Sequence, residues 1–190
     1  MDREATNARR IRRNFFVLSL LFAVSFSAGA VAPAVFRRQM AEVFNLFAFD
    51  FRSLSGGALF FNILVRNVVG TIFVLVSGVA GGVVPVIAVG SNGFGLGVLF
   101  RQAVGEGAIA AGALKVLPYG FFEIPALLVS ASYGLWLGGI ALRNMRGTDK
   151  ILLRFPIEHA FRRYFAVVFP LLVVAAGLET ALFLWLTIRG

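Results

Sequence analysis

The chain has 190 residues, of which 59% are hydrophobic and 14% are charged, whereas a soluble domain has roughly 45–50% apolar and about 25% charged residues. This composition excludes a soluble globular protein, and the mean hydropathy of +0.87 excludes a disordered one. Because the chain contains no cysteine, it has no disulfides, thiolate metal sites or cysteine nucleophile. We therefore predict an all-α polytopic transmembrane bundle with Gly- and Pro-interrupted helices, forming a single integral membrane domain.

Five apolar segments are long enough to cross a bilayer, which takes about 20 helical residues. They cover residues 14–36, 59–82, 83–102, 116–142 and 164–188. The second and third come from one apolar run, which we divide near Gly81, Gly82 and Pro85 because helix propensity is lowest there. Ala28-Gly29-Ala30 resembles a signal-peptide cleavage site, but the run stays apolar beyond it and further spans follow, which favours an uncleaved first helix.

Basic residues are concentrated in two places, and the formal net charge is +9. Five arginines lie in the first thirteen residues, and six Lys or Arg residues lie in a loop that we predict at residues 143–163. Segments rich in Lys and Arg stay on the cytoplasmic side. We therefore expect a multi-pass protein of the cell membrane with a cytoplasmic N-terminus and four crossings between the two basic segments. The expected partner of these segments is the lipid bilayer and not a nucleic acid.

Two segments share a pattern of a proline, several small residues and a pair of glycines four residues apart. The pairs are Gly93 with Gly97 and Gly134 with Gly138. Glycines at this spacing lie on one face of a helix and let another backbone approach closely. We therefore predict that these four glycines and Gly120 are helix-packing positions, and that the two similar elements pack against each other.

Polar residues inside the spans are candidates for a functional site, because a charge at the bilayer centre costs about 2.5–3.5 kcal/mol on insertion scales. Glu123 lies between two prolines, whose missing amide donors leave carbonyls that can join a polar pocket. Alternatively, Glu123 pairs with Arg66 or Lys115 to stabilise the bundle. Glu179 is a second carboxylate that we expect to face the bundle interior or a dimer interface. The expected intramembrane polar site, structural or ligand-binding, comprises Glu123, Tyr119, Arg66, Asn62, Asn67 and Asn92.

Catalytic motifs are missing from the sequence, which has no HExxH, no Gly-x-Ser-x-Gly and no phosphate-binding loop. We therefore expect a protein that is not an enzyme and that has no cofactor and no metal site. His159 follows Glu158 in the predicted basic loop, where we expect a solvated surface residue.

Four motifs, in chain order, resemble the stage II sporulation protein M family of small polytopic membrane proteins. In the second span, the segment Phe61-Asn62 through Arg66-Asn67 is similar to the family's Asn-bearing span. Asn92-Gly93-Phe-Gly95-Leu-Gly97 is similar to its Asn-Gly-x-x-Leu-Gly element, and Gly134-Leu-Trp-Leu-Gly138 to its Gly-Leu-x-Leu-Gly element. Leu117-Pro118-Tyr119-Gly120-Phe-Phe-Glu123 is similar to its Leu-Pro-His-Gly-x-x-Glu element, with Tyr119 where the family usually has His. This exchange removes a side chain that titrates near neutrality.

The resemblance implies a non-enzymatic membrane scaffold or assembly factor, because family members in spore formers are regarded as scaffolds for a peptidoglycan-cleaving engulfment machine. On this interpretation we expect a homo-oligomer, with a dimer favoured, that recruits membrane or envelope proteins. The alternative is a small-solute or ion transporter or channel with a polar site around Glu123, because spans broken by Pro and Gly are typical of transporters. The residues alone leave both functions open.

Overall fold

The computed structural model describes residues 3–33, 35, 54–105, 109–148 and 151–189. The elements in these ranges are helices, without a strand, and the predicted all-α fold is confirmed. Five helical stretches are long and apolar enough to cross a membrane, the last of them extending from α5 into α6. The elements are α1 (Arg3–Ala30), α2 (Gly56–Ser77), α3 (Val83–Gly105), α4 (Ile109–Met145), α5 (Arg154–Arg163), a π-helical turn (Tyr164–Val168) and α6 (Phe169–Arg189).

Helix α4 is the centre of the bundle, because it packs against α1, α2, α3 and α6. One core cluster joins Trp136 and Leu137 of α4 to Leu172 of α6. Another joins α4 to Leu18 of α1 and Val89 of α3. Since lipid tails are as apolar as these side chains, the close packing of the helices stabilises the bundle more than exclusion from water does.

Helix α1 brings the basic N-terminal segment to the basic end of α4. It begins at Arg3, whereas the predicted first span begins at residue 14, so the N-terminal arginines extend the same helix. Asn14 Nδ2 donates to the Ser132 carbonyl of α4 at 3.3 Å, and Trp136 Nε1 donates to Asn7 Oδ1 at 3.4 Å. Both basic segments therefore lie at one end of the bundle, as an even number of crossings between them requires.

We predicted a basic loop at residues 143–163, but much of this segment is helical in the structure. Helix α4 continues to Met145, and α5 leads through the π-helical turn into α6. Helix α5 is amphipathic, with Pro156 and Ala160 buried. On its exposed side, Arg154 Nε donates to Glu158 Oε1 at 2.7 Å, four residues along the helix. High charge density marks the end of the apolar layer here and does not mark the end of the helix.

Glycine and proline act differently at the two places where the sequence predicts interruptions. The connection between α2 and α3 contains Gly81 at φ 88° and Gly82 at φ 79°, a left-handed conformation that favours glycine. The division predicted at these residues agrees with the structure. Pro118 and Pro125, by contrast, lie inside the continuous helix α4. Each proline removes only one amide donor, and the hydrogen bonds on either side keep the helix intact.

The paired glycines of α3 contact α1, not the glycines of α4. A Cβ added at Gly97 would lie 2.0 Å from the Phe26 carbonyl oxygen, and one at Gly93 would lie 2.7 Å from the Phe22 carbonyl oxygen. Gly29 of α1 faces the same interface, since its Cβ would lie 2.1 Å from a carbonyl oxygen of α3. Only glycine permits this approach, because any side chain would hold the two backbones apart.

The paired glycines of α4 contact the end of α2 and the turn that follows it. A Cβ at Gly134 would lie 2.8 Å from the Val74 carbonyl oxygen, and one at Gly138 would lie 2.5 Å from the Gly78 carbonyl oxygen. The two similar elements do pack against each other, since Val89 of α3 shares a core cluster with Leu128 and Ala131 of α4, but the paired glycines mainly face other neighbours. The glycine pair of α3 packs against α1, and the glycine pair of α4 packs against the end of α2 and the turn between α2 and α3.

Candidate functional site

A pocket of about 360 Å³ lies between the helices in the middle of the bundle. Helices α1, α2, α3, α4 and α6 all contribute to its wall. Its polar lining residues are Arg66, Asn67, Thr71, Asn92 and Glu123. The other lining residues are apolar or glycine, namely Phe22, Gly70, Phe73, Val74, Leu96, Gly120, Ile124, Leu127 and Leu172.

The depth of the pocket follows from the contact between α1 and α4. Asn14, which directly follows the N-terminal arginines, is level with Ser132 because the two residues are hydrogen-bonded. Glu123 lies nine residues before Ser132 on α4, which at about 1.5 Å per residue is roughly 13 Å along the helix. The hydrocarbon layer of a bilayer is about 30 Å thick. The pocket therefore lies close to the midplane of the membrane-spanning layer.

Glu123 is the acidic group of the pocket, and it is held by a side chain from another helix. Asn67 Nδ2 of α2 donates a hydrogen bond to Glu123 Oε1 of α4. Glu179 of α6 lies near enough for its charge to interact with that of Glu123. Glu179 is not among the residues that line the pocket, so Glu123 is the carboxylate of the described lining.

Arg66 lines the same pocket next to Asn67, and its side chain is exposed. The hydrogen bond to Glu123 therefore comes from an asparagine, whereas the sequence suggested Arg66 or Lys115 as the partner. An ion pair between Arg66 and Glu123 stays a prediction. The side chains of Lys115 and Tyr119 lie outside the described part of the structure.

The remaining predicted residues are divided between the pocket and its surroundings. Asn92 lines the pocket from α3 and donates from its amide to the Ala88 carbonyl at 2.8 Å. Asn62 is not among the lining residues, and its buried Oδ1 has no hydrogen-bond partner within the described ranges. A Cβ at Gly120 would meet the Ile124 side chain of its own helix at 3.4 Å. Among the described residues Gly120 lines the pocket and meets only its own helix, so its helix-packing role stays a prediction.

Thr71 and Tyr164 form a polar contact beside the pocket that the sequence analysis missed. Thr71 Oγ1 lies 2.8 Å from the Tyr164 hydroxyl, and it also lies 2.7 Å from the Asn67 carbonyl to which it donates. The Tyr164 hydroxyl can therefore donate to Thr71 Oγ1, which joins the π-helical turn to the helix that carries Asn67. One threonine in an apolar span gives no signal in the sequence, because its partner is 93 residues away.

The pocket carries groups that can bind a small polar molecule. It offers a carboxylate, a guanidinium and two amides around one cavity, as sites for small polar molecules do. The residues that the structure describes contain no group of His, Cys, Asp or Glu that could hold a metal ion. His159 is exposed at the basic end of the bundle, where its ring lies 6.1 Å from that of Tyr133 and 6.0 Å from that of Trp136.

Comparison with protein families extends the resemblance of the four motifs to most of the chain. The model of the stage II sporulation protein M family matches residues 15–182. This range includes every residue that lines the pocket. Comparison with curated proteins and with solved structures finds no match to this chain. On the extent of the family match, the chain belongs to the stage II sporulation protein M family.

Proposed function

We propose that this protein binds a small polar or charged molecule in the intramembrane pocket and carries it through the bilayer. The observation that supports this function is the position of Arg66, Asn67 and Glu123 around one cavity at membrane depth. Each charge placed there costs about 2.5–3.5 kcal/mol on insertion scales. Apolar side chains of similar volume often stabilise a core as well as an ion pair does. A bound molecule therefore accounts for these charges better than packing alone.

The lining residues have separate roles in this proposal. Glu123 binds the positively charged or hydrogen-donating part of the molecule, and Asn67 fixes the orientation of its carboxylate. Arg66 binds a negatively charged part. Thr71, held by Tyr164, keeps the α2 backbone in place beside Asn67. Gly70 leaves space, because a Cβ there would meet no atom within 4 Å.

The second candidate function is the scaffold or assembly role, which is supported by membership of the family. In that case the contact between Asn67 and Glu123 serves to stabilise the bundle, and surface segments recruit membrane or envelope proteins. A homo-oligomer, preferably a dimer, belongs to this candidate. For both candidates we propose a non-enzymatic protein of the cell membrane with its basic end in the cytoplasm.

Filling the pocket separates the two candidates. The variant Gly70→Trp places an indole in the pocket, and Gly177→Trp is its matched control because a Cβ at Gly177 also meets no atom within 4 Å. Thermal unfolding of the purified protein is followed with ethanolamine, inorganic phosphate and glycerophosphoethanolamine as cationic, anionic and zwitterionic probes. A probe at a hundred times its Kd stabilises the native state by about 2.7 kcal/mol.

We expect at least one probe to stabilise the wild type and Gly177→Trp but not Gly70→Trp or Glu123→Gln. The probe that binds should then cross the membrane of proteoliposomes that contain the wild type. If none of the probes distinguishes Gly70→Trp from Gly177→Trp, the binding function is contradicted. Unchanged cross-linked oligomers and partner capture in both variants would then favour the scaffold.

A further inference from the structure

The pocket opens to one side of the bundle, between α2 and α3. Arg66, Gly70 and Phe73 of α2 and Asn92 of α3 line it and are exposed. The opposite wall is closed, since Leu172 of α6 is only 1% exposed. Helices α2 and α3 contact each other much less than either contacts α4. We call the gap bounded by these four exposed residues the lateral mouth.

The lateral mouth lies at the depth of the lipid tails. Arg66 is eleven residues before the end of α2 at Ser77, which is roughly 16 Å along the helix. Asn92 is nine residues after the start of α3 at Val83, which is roughly 13 Å. Both positions are near the middle of a hydrocarbon layer about 30 Å thick. A molecule that enters through the mouth therefore comes from the bilayer.

The positive and negative side chains of the pocket lie at different distances from the lateral mouth. The guanidinium of Arg66 is at the exposed mouth, whereas Glu123 is half-buried deeper in the pocket wall. An ammonium group in the pocket would donate a hydrogen bond to the Glu123 carboxylate and balance its charge. A phosphate beside that ammonium would match the planar donors of Arg66. Ammonium and phosphate occur next to each other in the headgroups of aminophospholipids.

We propose that the pocket takes the headgroup of a zwitterionic, ammonium-bearing phospholipid, such as phosphatidylethanolamine, directly from the bilayer through the lateral mouth. This inference rests on the proposed binding function and names its substrate class. The cavity of about 360 Å³ accommodates a headgroup, while the acyl chains stay outside among the lipids. Phe73, which is 62% exposed at the mouth, lies where the chains leave the pocket.

Photo-cross-linking within the membrane tests the proposal with two matched positions on α2. Benzoylphenylalanine replaces Phe73 in one variant and Phe61 in the other. Phe61 is 65% exposed on the same helix but does not line the pocket. The full-length variants are reconstituted in vesicles of equal phosphatidylethanolamine and phosphatidylglycerol, and the lipid adducts are identified by mass spectrometry.

We expect the ratio of phosphatidylethanolamine to phosphatidylglycerol adducts to be about tenfold higher at Phe73 than at Phe61, as one hydrogen bond to a charged group would give. Glu123→Gln should abolish the difference. Gly70→Trp should abolish it as well by blocking the mouth, and it leaves every charge in place. Equal ratios at the two positions would overturn the proposal, and so would a ratio that neither variant changes. Adducts at Phe73 to a protein chain would show a partner helix on the mouth and would also overturn it.

Soluble glycerophosphoethanolamine distinguishes failure of this inference from failure of the proposed function. If it stabilises the delipidated wild type but not Glu123→Gln, and the cross-links show no lipid preference, the binding function stands. The ligand then comes from the aqueous phase, and the proposed entry from the bilayer is wrong. If it gives neither stabilisation nor a lipid preference, both proposals fail.

Discussion

Replacement of Gly97 by alanine tests the closest helix contact in the described structure. The added Cβ would lie 2.0 Å from the Phe26 carbonyl oxygen and 2.9 Å from the Ala30 nitrogen of α1. Because ordinary contact begins at 3.4 Å, α1 and α3 must separate by about 1.4 Å at this point. A radial gap of about 0.5–1 Å already loses a quarter to a half of the dispersion energy of an atom pair. Overpacking of this kind costs about 1–3 kcal/mol.

Gly90→Ala is the matched control, because Gly90 lies on α3 and faces the same helix. Its Cβ would lie 3.7 Å from Ser25 Oγ, which is an ordinary contact. There the exchange only removes the conformational freedom of glycine, which stabilises a helix by about 0.5–1 kcal/mol. The same gain applies at Gly97, so we expect the free energies of unfolding of Gly97→Ala and Gly90→Ala to differ by the cost of overpacking, roughly 1–3 kcal/mol.

Unfolding in mixed micelles of increasing SDS fraction measures this difference. Gly97→Ala should unfold at a lower SDS fraction than the wild type, and Gly90→Ala at the same or a higher fraction. Coincident unfolding curves for the two variants would refute the close contact between α1 and α3. Gly29→Ala should be as destabilising as Gly97→Ala, because its Cβ would lie 2.1 Å from the Phe94 carbonyl oxygen. Gly29 was not among the packing glycines predicted from the sequence, and its close contact with α3 is seen only in the structure.

Three further outcomes are expected. In a double-mutant cycle, Thr71→Val and Tyr164→Phe should show a coupling of about 0.5–1.5 kcal/mol in unfolding free energy, and additive effects would contradict their hydrogen bond. Gly138→Ala should unfold more readily than Gly139→Ala, because only the first Cβ meets backbone, at 2.5 Å, and the second meets the end of a flexible arginine at 3.6 Å. A cysteine at Arg10, the only one in the chain, should resist an impermeant maleimide in intact cells and react after lysis, and labelling in intact cells would reverse the proposed orientation.

The membrane fold could be predicted because its main signals are local. Each span carries its own apolar run, and the turn at Gly81 and Gly82 coincides with the weakest helix propensity in a longer run. The helix ends could not be predicted in the same way. Hydropathy reports where the chain leaves the lipid, whereas a helix ends where its backbone hydrogen bonds end. For this reason α1 reaches back to Arg3, and α5 occupies much of a segment that resembles a loop by its charge.

The candidate site could be predicted in part, because a charge in an apolar span is costly wherever the neighbouring helices lie. This argument alone selects Arg66 and Glu123, and the structure places both around one pocket. It does not give the distance between carboxylates on different helices. Glu179 comes within electrostatic range of Glu123 because α4 and α6 pack together. Pairings of this kind depend on tertiary packing, which no single span encodes.

The rotation of α2 about its own axis decides which polar side chain reaches Glu123. Ile63 and Thr71 are buried, and Asn67 lies between them on the same face because residues four apart nearly align on a helix. Arg66 precedes Asn67 by one residue and is therefore turned away by about 100°, towards the exposed lateral mouth. Since the whole of α2 is apolar apart from a few residues, its sequence does not show which face is inward. The packing of α2 on its neighbours sets this rotation, which places the amide against the carboxylate and leaves the guanidinium at the entrance.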